Sequence, residues 1–241
     1  MTVPTVRAVG AVASGVAATC APGLPTGTVA GDLLIMFCES DNQAVTVSGW
    51  TEAPNSPQTS DGATATDTRL TIFYRISANG ADATTTNAPA DHVSGRIIGI
   101  TAGTYDTSDI FNATAGSTDA TEDGSGSTPT ITTNRNDCLI ITALSHGHDA
   151  ANSTANYASW TNASLTNLVE QIDNQRTAGN GGGFGVATWT LATAGATGVT
   201  TVTLAVNSLK GQWTGAINPA RPIQSPTANA KGPQMGAICA M

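Results

Sequence analysis

The chain has 241 residues, 40% apolar, 11% charged and 5% aromatic, and its nine basic against seventeen acidic side chains leave a formal charge of -8. Nine scattered cations form neither the basic stripe that displaces counterions from nucleic acid nor the cluster that meets an anionic lipid surface, so neither is an expected partner. No stretch approaches the roughly 18 to 20 uninterrupted apolar residues of a bilayer-spanning helix, and Met1 to Gly15 lacks the apolar run of a secretory signal, so synthesis in a cytoplasm is expected.

In chain order the pattern is β throughout. Thr5 to Val9 is the first strand candidate, and Cys20 and Pro22 lie on a loop-like approach to the second. Leu33 to Cys38 is apolar on both alternation phases, which predicts a central strand covered on both faces. Val45 to Val47 and then Trp50, Thr51, Glu52 follow. In Leu70 to Ser77, Thr71, Phe73 and Arg75 alternate with Ile72, Tyr74 and Ile76, which predicts one more exposed face. Arg96 to Thr101 and Thr130 to Thr133 are shorter candidates. Cys138 to Leu144 is the second run that is apolar on both phases. Thr166 to Ile172, Val186 to Leu191 and Val199 to Val206 complete the series, with Trp189 and Trp213 expected to pack within strands. Gly179 to Gly185 reads as a tight loop between strands, since no helix follows it to make a phosphate cradle.

Two stretches about a hundred residues apart nearly repeat. Gly31, Asp32, Leu33, Leu34, Ile35 followed by Trp50, Thr51, Glu52 is matched by Asn136, Asp137, Cys138, Leu139, Ile140 followed by Trp160, Thr161, Asn162. A doubled cassette predicts two matching sheets around one core, and hence one domain, residues 1–219. Trp50 and Trp160 are expected to plug matching ends of that core rather than to stack on sugars. From Pro219 the character changes. Pro219, Pro222, Pro226 and Pro233 punctuate a segment, 220–241, that reads as an extended arm, with Ile223, Met235, Ile238 and Cys239 as candidate partner contacts.

The chemistry-bearing residues are sparse. His146, Gly147, His148 and Asp149 would suit a transition metal if both imidazoles left one strand face, but a polar run opening a loop is the plainer reading. His92, after Asp91 and on the same alternation face as Arg96, reads as structural pairing at a strand edge. Asp119, Glu122 and Asp123 offer oxygen ligands for calcium, although their order does not fit an EF-hand loop. No G-x-S-x-G elbow is present, so no catalytic residue and no cofactor is expected. Cys38 and Cys138 read as small buried hydrophobes, and Cys239 as a thiol able to reach another chain.

Pro22 to Pro25, Ala30 to Ile35, Gly49 to Glu52, Leu70 to Arg75, His92 to Ile98 and Thr132 to Ile140 together resemble a group of tailed-bacteriophage virion proteins. The similarity continues through Trp160 to Asn162, Leu165, Leu168, Glu170, Asp173 and Gly179 to Val186, so that it covers residues 4 to 219. The resemblance implies an all-β, jelly-roll-like β-sandwich on the virion exterior. The expected function is a non-enzymatic capsid decoration or cement protein that binds the major capsid protein. A homotrimer would match local threefold positions of the shell. A tail-tip or fibre component that binds host-surface glycans is the alternative.

Overall fold

The computed structural model describes residues 2–15, 19–60, 67–87, 92–148, 156–176 and 182–221. Among these there is no helix. The first half of the chain supplies β1 (Val6–Val9), β2 (Ala13–Gly15), β3 (Leu33–Ser40), β4 (Thr46–Val47), β5 (Thr51–Glu52), β6 (Gln58–Ser60), β7 (Thr68–Ile76), β8 (Thr86–Asn87) and β9 (Val93–Ile100). The second half supplies β10 (Phe111–Thr128), β11 (Cys138–His146), β12 (Tyr157–Thr161), β13 (Thr166–Arg176), β14 (Gly182–Leu191) and β15 (Thr200–Ile217).

These strands form a β-sandwich in which each sheet is drawn from one half of the chain. The first sheet has the order β1-β9-β3-β7-β5, with β2 added on β9 and β6 on β7; the second has the order β10-β15-β11-β14-β13, with β12 added on β15. The two orders are the same, so the doubled cassette is a doubled topology. Each run that is apolar on both phases lies at the centre of its sheet, β3 between β9 and β7, β11 between β15 and β14. A central strand with both ladders satisfied can be apolar on both faces, because no backbone group needs water.

Alternation then sorts the side chains. Leu33, Ile35 and Phe37 face inward with Leu70, Ile72, Ile98 and Ile100, against Leu139, Ile141, Ala143, Phe184, Val186, Trp213 and Ile217 of the opposing sheet. Leu34, Met36 and Cys38 face outward, where Cys20, Val45, Val47 and Trp50 cover them. Cys138, Ile140 and Leu144 likewise face outward on the second sheet, under Tyr157, Trp160, Val202 and Leu204. Each sheet therefore has a roof of its own in addition to the shared core.

The second roof is made by the longest strands. β10 and β15 pair in regular register from Ala113 opposite Ala216 to Asp119 opposite Lys210; the register then breaks twice before Ser125 meets Thr203. Beyond that bulge the ribbon lies over the outer face of β11. Gly126 brings the ribbon close to Leu144: a Cβ there would stand 2.2 Å from Leu144 Cδ1, so a larger residue would require that side chain to shift.

Several expectations are corrected. The doubled motifs match Leu33 with Cys138, yet Leu33 points into the shared core and Cys138 away from it. The left-handed residue before each central strand explains the slip. Gly31 (φ 88°) and Asp137 (φ 59°) hold that place, so Leu33 corresponds to Leu139, one residue later than the motifs align. Next, β7 is not exposed on one face; Thr71 and Phe73 are buried beneath the first roof, and only its end, Ile76, is open. Finally, Thr130 to Thr133 makes one isolated bridge, Thr132 with Ala196, rather than a strand.

Both motif tryptophans follow a left-handed residue, Gly49 (φ 77°) or Ser159 (φ 56°), and both belong to the roofs, not to the ends of the shared core. Trp50 is half-buried, donates to the Ala83 carbonyl at 2.9 Å and lies under the Arg75 guanidinium. Trp160 is buried against the Tyr157 ring. Trp213 is the tryptophan of the shared core, fully buried, with Nε1 donating to the Pro54 carbonyl at 3.0 Å. Trp213→Ala is expected to cost about 3–5 kcal/mol of unfolding free energy and Trp50→Ala on the order of 1–2 kcal/mol, measured by denaturant titration.

Candidate functional site

Glu39 ends the inward row Leu33, Ile35, Phe37, so strand periodicity carries a carboxylate into the space between the sheets. It is fully buried, and Nε2 of the equally enclosed His92, which precedes β9, lies 3.1 Å from Oε2 and 3.3 Å from Oε1. The Thr68 hydroxyl on β7 stands 3.3 Å from Oε1 and 2.9 Å from Ser145 Oγ on β11, so the acid is joined to the opposing sheet. Gly182 closes the space from β14: a Cβ there would lie 2.7–2.8 Å from the carboxylate, and its φ of 131° also excludes other residues. Nearby, Asn174 Nδ2 of β13 donates to Ser94 Oγ of β9 at 2.7 Å, a second polar tie between the sheets.

Burial pushes the Glu39 carboxyl up to about 7 against the opposing pull of His92 and Thr68. The cluster contains a hydroxyl, an imidazole and a carboxylate, but not in catalytic order. Ser145 meets Thr68 and, through it, Glu39, whereas a nucleophile must meet the base. Its chemistry is that of a buried tie. Of these residues the sequence reading marked His92, as an edge pair, and Gly182, within a tract expected to be a loop; Gly182 to Gly185 instead open strand β14. An acid at the inward phase of the most apolar strand was the available signal for Glu39.

The same end of the sandwich holds His146, the last residue of β11. Its ring is fully buried against Tyr157, with centroids 5.5 Å apart, and Nδ1 accepts the His148 N–H at 3.3 Å. Burial, helped by His148, pushes His146 down to about 3, which keeps it neutral. The two imidazoles do not share a face as a metal site would require, the His148 N–H instead meeting the His146 ring, and Asp149 lies outside the described residues. Among the described residues no three His, Cys, Asp or Glu side chains stand where they could share a metal ion.

The acidic group in β10 is filled from within the chain. Asp119 and Asp123 flank the bulge, and Lys210 of β15, fully buried, places Nζ 3.0 Å from Asp119 Oδ2, 2.9 Å from Asp123 Oδ1 and 2.8 Å from the Thr121 carbonyl. All three ammonium protons are used, so the lysine occupies the space between these carboxylates and holds Asp123 below the usual carboxylate range.

Two further pairs serve the backbone. Asp32 accepts from Arg7 and from the N–H groups of Val29 and Ala102, which together outweigh burial and lower its pKa. Asp106, buried, binds Arg135 and Arg221, which against the push of burial hold it well below the usual range. Burial raises the thiols of Cys38 and Cys138, the latter to about 11, which suppresses their thiolate reactivity. Ile223, Met235, Ile238 and Cys239, the expected contact arm, lie outside the described residues. Comparison with protein-family models, with curated proteins and with solved structures finds no match.

Folded Glu39 keeps its proton to about 7, whereas the unfolded carboxyl releases it near its ordinary 4.5, so raising the pH between these values destabilises the fold. From pH 5 to pH 8 the wild type should therefore lose about 2–3 kcal/mol relative to Glu39→Gln, as measured by unfolding at both pH values. Added calcium should leave the melting temperature unchanged, while Lys210→Met should lower stability by about 1.5–3 kcal/mol through loss of charge-assisted bonds at the bulge.

Proposed function

We propose that this protein is a non-enzymatic structural component of a tailed-bacteriophage particle, a decoration or cement protein on the outside of the head shell. The observation that carries the reading is the use made of the ionisable groups. Glu39, His92 and Lys210 are engaged in ties between strands and sheets and Asp106 in ties between loops, in a doubled sandwich whose two sheets are roofed on their outer faces. Such a body suits a protein that must resist mechanical load, and the resemblance of residues 4–219 to virion proteins points to the same role.

Attachment in this reading comes from loops, sheet edges and the segment 220–241, with many weak contacts multiplied by repetition over the shell. A trimer on local threefold positions fits that geometry, and the major capsid protein is the partner. Quantitative mass spectrometry of purified particles tests the placement. Decoration requires copies on the order of the shell's own subunits; a handful per particle would favour the tail-tip reading, in which saturable binding to a glycan array is the expected result. Particles lacking the protein should release their DNA at lower temperature than complete ones.

A further inference from the structure

Two thiols meet on the outer face of the first sheet. Cys38 points from β3 into the first roof, and the residue set against it on the neighbouring strand β9 is Gly95. Cys20 lies on the stretch of chain that crosses this face before β3. Its backbone is held by Thr86, whose N–H donates to the Cys20 carbonyl at 2.8 Å and whose Oγ1 accepts the Cys20 N–H at 3.2 Å. A Cβ placed on Gly95 would stand 3.5 Å from Cys20 Sγ and 3.5 Å from Cys38 Sγ. The two sulfurs therefore flank one point and are separated by no more than twice that distance. Both residues are thiols in this structure.

We infer that Cys20 and Cys38 are a built cross-linking site, closed to an intramolecular disulfide by a low-molecular-weight disulfide such as oxidised glutathione. Gly95 puts no side chain between the sulfurs, and the rest of that space is filled by Pro22, whose Cγ lies 2.7 Å from the same point. Because Cys20 is anchored through its backbone, its Sγ can turn about χ1 toward Cys38 while both backbone bonds to Thr86 persist. The turn gives up only the 3.3 Å contact of Sγ with Thr86 Oγ1. The third described cysteine, Cys138, belongs to the roof of the other sheet, a cluster that contains no second cysteine.

The chemistry is a double exchange. Cys20, the less enclosed of the two, attacks one sulfur of the small disulfide as its thiolate and expels one small thiolate, leaving a mixed disulfide. Cys38 then attacks the Cys20 sulfur and expels the second. The two protons lost by the cysteines end on the two small thiols, and two electrons pass from the protein to the oxidant. Burial raises the Cys38 thiol, which makes it a poor first attacker and the exchange slow. The product ties the approach segment to the central strand of the first sheet and closes the chain between residues 20 and 38, which restricts the unfolded state. The geometry is intramolecular and fails separately from the reading above. On that reading the chain passes from a reducing cytoplasm to the outside of the cell, so the link closes after release.

The test uses the full chain carrying Cys239→Ser, held in its native fold with excess oxidised glutathione and, in parallel, refolded from denaturant in the same buffer. Thiols are then alkylated under denaturing conditions and mapped by mass spectrometry. The expected result, in either arm, is a peptide pair joined through Cys20 and Cys38 with Cys138 alkylated, and a melting midpoint roughly 5–10 °C above that of the reduced protein. Cys20→Ser should melt at the same temperature in oxidising and reducing buffer. Alkylation of all three thiols in both arms would overturn the proposal, as would glutathione retained on Cys20 beside an alkylated Cys38, a link that includes Cys138, or a Cys20–Cys38 link that fails to raise the midpoint.

Discussion

Everything in this structure follows from two strands that are apolar on both faces. A strand such as β3 must be covered twice, and one partner sheet covers it once. The shared core, formed by Leu33, Ile35 and Phe37 against Ala143, Phe184 and Trp213, satisfies the inner faces. The outer faces, Leu34 and Met36 on one sheet, Ile140 and Leu144 on the other, require roofs. The first is assembled from short pieces around Val45, Val47 and Trp50; the second is made by bending a long ribbon, β10 with β15, back over its own sheet. Loop lengths, bulges and the places of the tryptophans are consequences of that need.

Bending and closing a body of this kind brings polar groups out of water, and each must then find a partner inside. At the bulge the ribbon's carboxylates and a free carbonyl converge on the Lys210 ammonium. At the far end of the shared core Glu39 meets His92, Thr68 and, through it, the opposite sheet. A buried charge left alone would cost several kcal/mol, so Lys210 and Glu39 are tied to their present neighbours. Glu39, His92 and Lys210 hold strands and sheets together, and the proposed role therefore looks to edges and termini.

The sandwich and its doubling were legible because alternation and the Gly/Asp and Trp-Thr signatures are local. Strands Leu33–Ser40 and Cys138–His146 extend the expected runs by only two residues each. The register was not legible, since Asp137 adopts a left-handed conformation that the sequence advertises only when the residue is glycine, and one residue of slip reverses a face. β10 was missed altogether: its Thr, Ser, Asp and Gly residues show no apolar alternation, and its strand form is imposed by pairing along β15. The lysine among the acids was invisible for a related reason, being some ninety residues from them in sequence.

With the register corrected, Phe37 corresponds to Ala143 and Glu39 to Ser145. Two separate, identical subunits meeting about a twofold axis would have to present one self-complementary surface, each bulky or ionised group accommodated by another of its own kind. Joined in a single polypeptide, the halves escape that rule. At these two positions one sheet carries the ring and the acid and the other the methyl and the hydroxyl, so the two inner faces are complementary without being identical.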